Sequence, residues 1–117
     1  MSSAVSHSPS SIRDLKWAPD EKTIARQAFD KALKKELDEV VRKAKERAAR
    51  IKHPSELWEL ENWLGKCRRE IDSTYDYRYS VLLYTFATLL RRRRIRENDL
   101  AGLAEEKLDA IRFLASC

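Results

Sequence analysis

The residue types that perform catalysis are missing from this sequence or stand where they cannot cooperate. Its two histidines are His7, in a serine-rich leading stretch, and His53, beside Pro54 at a break between apolar patterns. Neither belongs to an HExxH pair, and a chain with only two glycines offers no glycine-rich loop to cradle a phosphate. Cys67 and Cys117 are too few and too far apart for a zinc site or a disulfide framework, so both read as free thiols. Carboxylates are plentiful, but they interleave with lysine and arginine along helical faces, where i,i+4 pairing in solvent is their simpler use. The expectation is no enzyme activity, no metal, no cofactor and no small-molecule substrate.

Two groupings carry recognition chemistry instead. Arg91, Arg92, Arg93, Arg94 and Arg96 are five of the 24 basic residues, and without them the remaining 19 balance 19 acidic ones. The net charge of +5 is therefore local. Three uses compete for this run. It can complement the dipole of a helix carboxyl end and keep that end soluble, bind an acidic partner surface, or bind nucleic acid. The last is least favoured, because no second basic patch or aromatic platform accompanies it. The other grouping emerges on a helical wheel: Leu57, Leu60, Leu64, Cys67 and Ile71 fall within about 80°, extended by Trp63, while Trp58 falls roughly 150° from their centre. Trp58 shares its side with Asn62, Gly65 and Arg69, and Glu61 and Arg68 lie between that side and the leucine stripe. An aromatic on a polar face, beside a glycine and an arginine, has the composition of an interface hot spot; the alternative is that another helix covers it as core.

The elements that hold these groups are helices. Three prolines and two glycines are too few turn-makers for a sandwich or barrel, and 117 residues suit one domain. Residues 1–18 read as a flexible tail, with Trp17 available for docking, and 19–117 as a single all-helical domain. From Asp20 to Lys52 apolar residues recur at three and four, a helix of about 50 Å that outreaches the globule expected for this length. Its stripe needs cover, which predicts a homodimer. Ser55 is the expected N-cap of a second helix, Tyr75 to about Arg94 forms a third, and Asn98 or Asp99 caps a fourth that buries Leu100, Leu103, Ala104, Leu108, Ile111 and Leu114. The fold class is all-α: a four-helix extended bundle with a long first helix, homodimeric. The sequence shows neither a membrane span nor a secretory leader, so the expected location is cytoplasmic.

Several short pieces keep a common spacing over most of the chain: Phe29-Asp30-Lys31-Ala32, Glu36-Leu37-Asp38, Leu57-Trp58-Glu59-Leu60, Arg68-Arg69-Glu70-Ile71-Asp72, Tyr75-Asp76 with Arg78, and Leu89-Leu90. In these the sequence resembles the fluorescence recovery proteins of cyanobacterial photoprotection. The resemblance implies a homodimer that binds the C-terminal domain of the orange carotenoid protein. It also implies faster return of that protein from its red to its orange form, and its release from the phycobilisome. The family's central tryptophan, aspartate and arginine fall on Trp58, Asn62 and Arg68. Asn62 lacks the aspartate's charge, Glu61 stands in place of a histidine, Tyr84 in place of a partner-contacting phenylalanine, and the arginine run in place of a lysine-and-glycine turn. The expected partner-binding residues are Trp58, Glu61, Asn62, Arg68, Arg69 and Tyr84, and the expected dimer interface is Leu37, Val40, Val41, Ala44 and Leu57. The alternative is the same dimeric scaffold serving another protein client or, less favoured, nucleic acid.

Overall fold

The computed structural model describes residues 15–117, so residues 1–14 of the tail expected over 1–18 lie outside the described residues. Pro19 opens the first helix, α1 (Pro19–Ala49), at a position where its missing N–H costs nothing, and the Glu21 carboxylate reaches back to the Ala18 amide at 3.0 Å. A short turn reverses the chain into α2 (Pro54–Thr74). Here the capping group is not Ser55, which lies inside the helix. Glu56 Oε1 accepts from the amides of Lys52 and His53 at 2.9 and 2.8 Å.

The third expected helix is shortened to α3 (Leu82–Arg91). Tyr75, Tyr77 and Tyr79 lie in the non-helical segment that precedes it, where Asp76 holds the turn through the Arg78 amide and guanidinium. The fourth expected helix is also displaced: Glu97–Leu100 is a 3-10 turn, which Asp99 caps by accepting from the Arg96 amide at 2.9 Å, and α4 (Glu105–Ala115) begins later. Gly102 lies in the break between them at φ 103°, where a Cβ would meet Ile24 Cδ1 at 2.5 Å. Ala104 precedes α4 and is exposed rather than buried.

The hydrophobic core lies at one end of the molecule. Ala25, Ala28, Phe29 and Ala32 of α1 meet Leu82, Leu83, Phe86 and Leu89 of α3, with Ile95, Leu100, Leu103 and Ile111 closing the other side. Each large side chain buried there contributes about 1.5–3 kcal/mol. Beyond Ala32, α1 has no fully buried residue, and α2 has none at all. These two stretches form an antiparallel hairpin that projects from the core, giving extents of 64 × 24 × 21 Å and a radius of gyration of 17.7 Å. A compact chain of this length has about 13 Å. Leu15 and Trp17 pack against the core, with the Trp17 and Tyr79 rings 5.6 Å apart.

The arginine run is a turn with internal duties. The Arg94 amide bonds to the Leu89 carbonyl at 2.8 Å and the Arg93 amide to that of Leu90 at 3.0 Å, a Schellman closure of α3. It places Arg93 at φ 61°, the left-handed region that glycine occupies without penalty. Arg93→Gly is expected to raise stability by about 0.5–1 kcal/mol in urea unfolding, the relieved backbone penalty being partly offset by a freer unfolded chain. Equal or lower stability would show that the turn is unstrained.

Candidate functional site

The projecting hairpin presents two different faces. On one, the stripe of α2 lies partly against α1: Leu60, Trp63, Cys67 and Ile71 are half-buried, and the Arg47 guanidinium sits 4.4 Å from the Trp63 ring centroid. That packing leaves an apolar band uncovered. Leu37 is 45% exposed, Val41 53% and Leu57 48%, with Val40 and Ala44 half-buried among them. All five residues expected at a dimer interface thus lie on the hairpin, away from the core.

The other face holds Trp58, 60% exposed, so no helix among the described residues covers it as core. Glu61, Asn62, Arg68 and Arg69 are exposed on the same helix. Arg68 keeps only a long contact to Asp72, 3.9 Å between Nε and Oδ2, and its side chain is 85% exposed. Tyr84 stands elsewhere. It lines a groove of about 240 Å³ with Ser73, Thr74 and Asp76, at the opposite end of α2 from Trp58. The separation along the axis is about 24 Å at 1.5 Å per residue. The structure therefore gathers five of the six expected partner-binding residues on α2 and separates Tyr84 from them.

The base of the hairpin is fixed by residues whose roles sequence reasoning missed. Arg94 makes two 3.1 Å bonds to the Glu39 carboxylate and a 3.1 Å ion pair to Glu36. Glu36 also accepts from the Tyr75 hydroxyl at 3.0 Å, and Arg92 reaches Glu70 and Thr74 of α2. Hydrogen bonds from Arg94 and then Lys43 hold the Glu39 carboxyl down to about 2, while burial and the Glu36 charge push the Tyr75 hydroxyl up. Because Glu39 is depressed in the fold, its stabilising contribution is complete above the ordinary value of 4.5 and fades as pH falls toward 2. The run is neither a merely solubilising end nor a free basic patch: Arg91 bonds the Leu114 carbonyl, and among the described residues only Arg93 and Arg96 of the five make no side-chain hydrogen bond or ion pair.

The carboxylates of α1 pair as expected, with Lys34–Asp38 at 2.8 Å and Arg42–Glu46 at 2.9 Å, both exposed. No group of three or more metal-ligating side chains occurs among the described residues, and no helix there is long and apolar enough to cross a membrane.

A family model described as photoprotection regulator fluorescence recovery protein matches residues 17–115. The fluorescence recovery protein of Synechocystis sp. PCC 6803 is 35% identical over 99 residues, covering 85% of this chain and 91% of the relative. The structure of the Fremyella diplosiphon protein superposes with a TM-score of 0.84 at 35% identity, and that of the Synechocystis protein with 0.84 at 34%. Each covers 87% of this chain and all of the solved one. With a match across nearly the whole described chain in both sequence and fold, this protein belongs to the family of the photoprotection regulator fluorescence recovery protein.

Proposed function

We propose that this chain is a non-enzymatic regulator that binds the C-terminal domain of an orange carotenoid protein, speeds its red-to-orange return and so releases it from the phycobilisome. The observation that carries the reading is Trp58, a large aromatic 60% exposed on the polar face of a helix, opposite the stripe that packs partly on α1. Glu61, Asn62, Arg68 and Arg69 complete the docking face, and Tyr84 is a second, separate contact. Mixing the chain with photoactivated carotenoid protein and following the absorbance of the red form tests it. A decay rate unchanged across a saturating range sinks this client. Asn62 in place of the family's aspartate favours one other reading, the same scaffold with a different protein client.

The working unit is a homodimer closed along the exposed band of α1 and α2. The support is the uncovered apolar surface of Leu37, Val41 and Leu57, which a second copy would remove from water. Val41→Asp would bury an unpaired charge at that seam, at a cost of several kcal/mol to association. Because Val41 is exposed in the single chain, the variant is expected to remain folded. Light scattering should then report a monomer with unchanged helix content; an unchanged dimer mass removes this band from the interface.

A further inference from the structure

The Trp58 face carries a cation that the chain itself does not use. In the sector of the α2 wheel from Gly65 to Lys66, about 100° wide, stand Trp58, Asn62, Gly65, Lys66 and Arg69 but no carboxylate. Glu61, which the docking face also holds, lies about 40° outside it and Asp72 about 20°, both toward the leucine stripe, with Glu59 and Glu70 on the far side. Among the described residues Asn62, Lys66 and Arg69 make no side-chain hydrogen bond or ion pair. That sets Arg69 apart from Arg68, which leans to Asp72, and from Arg92 and Arg94, which clamp the hairpin.

The position of the Arg69 guanidinium is also defined. Long side chains on a helix lean toward its N-terminus, and Arg69 Nη1 lies 3.4 Å from where a Cβ on Gly65 would stand. Gly65 is therefore the space across which Arg69 lies, on the side of the helix that exposes Trp58. An aspartate at position 62 would add a carboxylate to this face and offset the guanidinium; Asn62 leaves its charge whole. An exposed indole and, about two helical turns along the same side, an unpaired planar cation complement a carboxylate at the edge of an apolar patch, and the fork of arginine meets a carboxylate with two bonds.

We infer that the Trp58 face of this chain reads a carboxylate on its client protein, with Arg69 as the specificity-determining cation and Gly65 as the space that seats it. This rests on the reading of that face as the docking surface. The charge of the face is testable without any client. Trp58 fluorescence, taken as the difference between wild type and Trp58→Phe, should show a higher ratio of iodide to caesium quenching than N-acetyltryptophanamide does at the same ionic strength. Arg69→Gln should cut the iodide constant about twofold and leave quenching by acrylamide unchanged. A ratio no higher than that of N-acetyltryptophanamide, or no response to Arg69→Gln, overturns the inference.

The second arm uses photoactivated orange carotenoid protein as probe. Arg69→Gln should weaken binding about tenfold and flatten its salt dependence, and Arg69→Lys should restore part of both. Loss of binding in Trp58→Ala with Arg69→Gln within twofold of wild type overturns the role of Arg69 and leaves the docking face standing. No effect of Trp58→Ala overturns both. Failure of the wild type to bind removes this client, and the quenching arm then decides the inference alone. A changed assembly mass in Arg69→Gln assigns the face to a second copy and overturns it as well.

Discussion

Lys107→Met lowers the free energy of unfolding by about 3–5 kcal/mol, seen as a lower urea midpoint with unchanged slope. Lys107 is 3% exposed and its Nζ lies 3.1 Å from Glu21 Oε1. It also donates to the Lys16 carbonyl and stands 5.0 Å from the Trp17 ring centroid. Glu21, 7% exposed, accepts from the Ala18 amide at 3.0 Å and the Ala104 amide at 2.8 Å. One ion pair thus ties the start of α1 to the start of α4. Removing the ammonium leaves a buried carboxylate with two amides, whereas removing both charges leaves neither unpaired. Glu21→Gln combined with Lys107→Met should therefore cost less than the two single changes together.

The pH dependence carries the same sign. Burial alone would raise the Glu21 carboxyl, but the amides of Ala18 and Ala104 together with Lys107 outweigh it and hold the group below its usual 4.5. Its contribution is complete above that value and is lost as pH falls through the depressed one. The deficit of Lys107→Met should accordingly narrow in acid, because the wild type loses the same interaction there. A variant as stable as wild type at neutral pH would show that the pair does not tie these elements.

What the sequence disclosed and what it concealed divide by contact range. The 3.6-residue period of α1 and α2 was plain, because each keeps one apolar stripe from end to end. Tyr75, Tyr77 and Tyr79 read as helix because the segment is aromatic. Their spacing of two is that of an extended strand of chain, and Phe29 meets two of the rings edge to face, 5.5 Å from Tyr75 and 4.9 Å from Tyr77. Lys107 reads as one more charge on α4, although it stands at the stripe position between Leu103 and Ile111, where a lysine needs a buried partner. That partner is Glu21, far away in sequence. Arg94 carries no sign in its own residue type: what separates it from its neighbours is the left-handed turn at Arg93, which aims it back at Glu36 and Glu39. For Trp58 the wheel gives only its place opposite the stripe and leaves open whether another helix covers it; the fold decides, since the stripe packs on α1 and Trp58 stays 60% exposed.

Trp58→Ala should abolish acceleration of the red-to-orange return, a loss of about 30-fold or more in the affinity that drives it, while the assembly keeps its mass. A protein that speeds the return must bind the barrier between the two forms more tightly than it binds the red form. An anchored indole that bridges separated surfaces of the client does this by raising the effective concentration of one at the other. Trp58 has the exposed area to serve as that anchor, and it lies roughly 150° around the helix from the leucine stripe, so its loss should leave dimerisation untouched. Leu57 makes the opposite prediction one residue away. A charge there should reduce the mass through the apolar band, with acceleration falling only as far as the dimer is needed for it. If Trp58→Ala accelerates the return as well as wild type, the docking face lies elsewhere, and the groove beside Tyr84 becomes the next surface to alter.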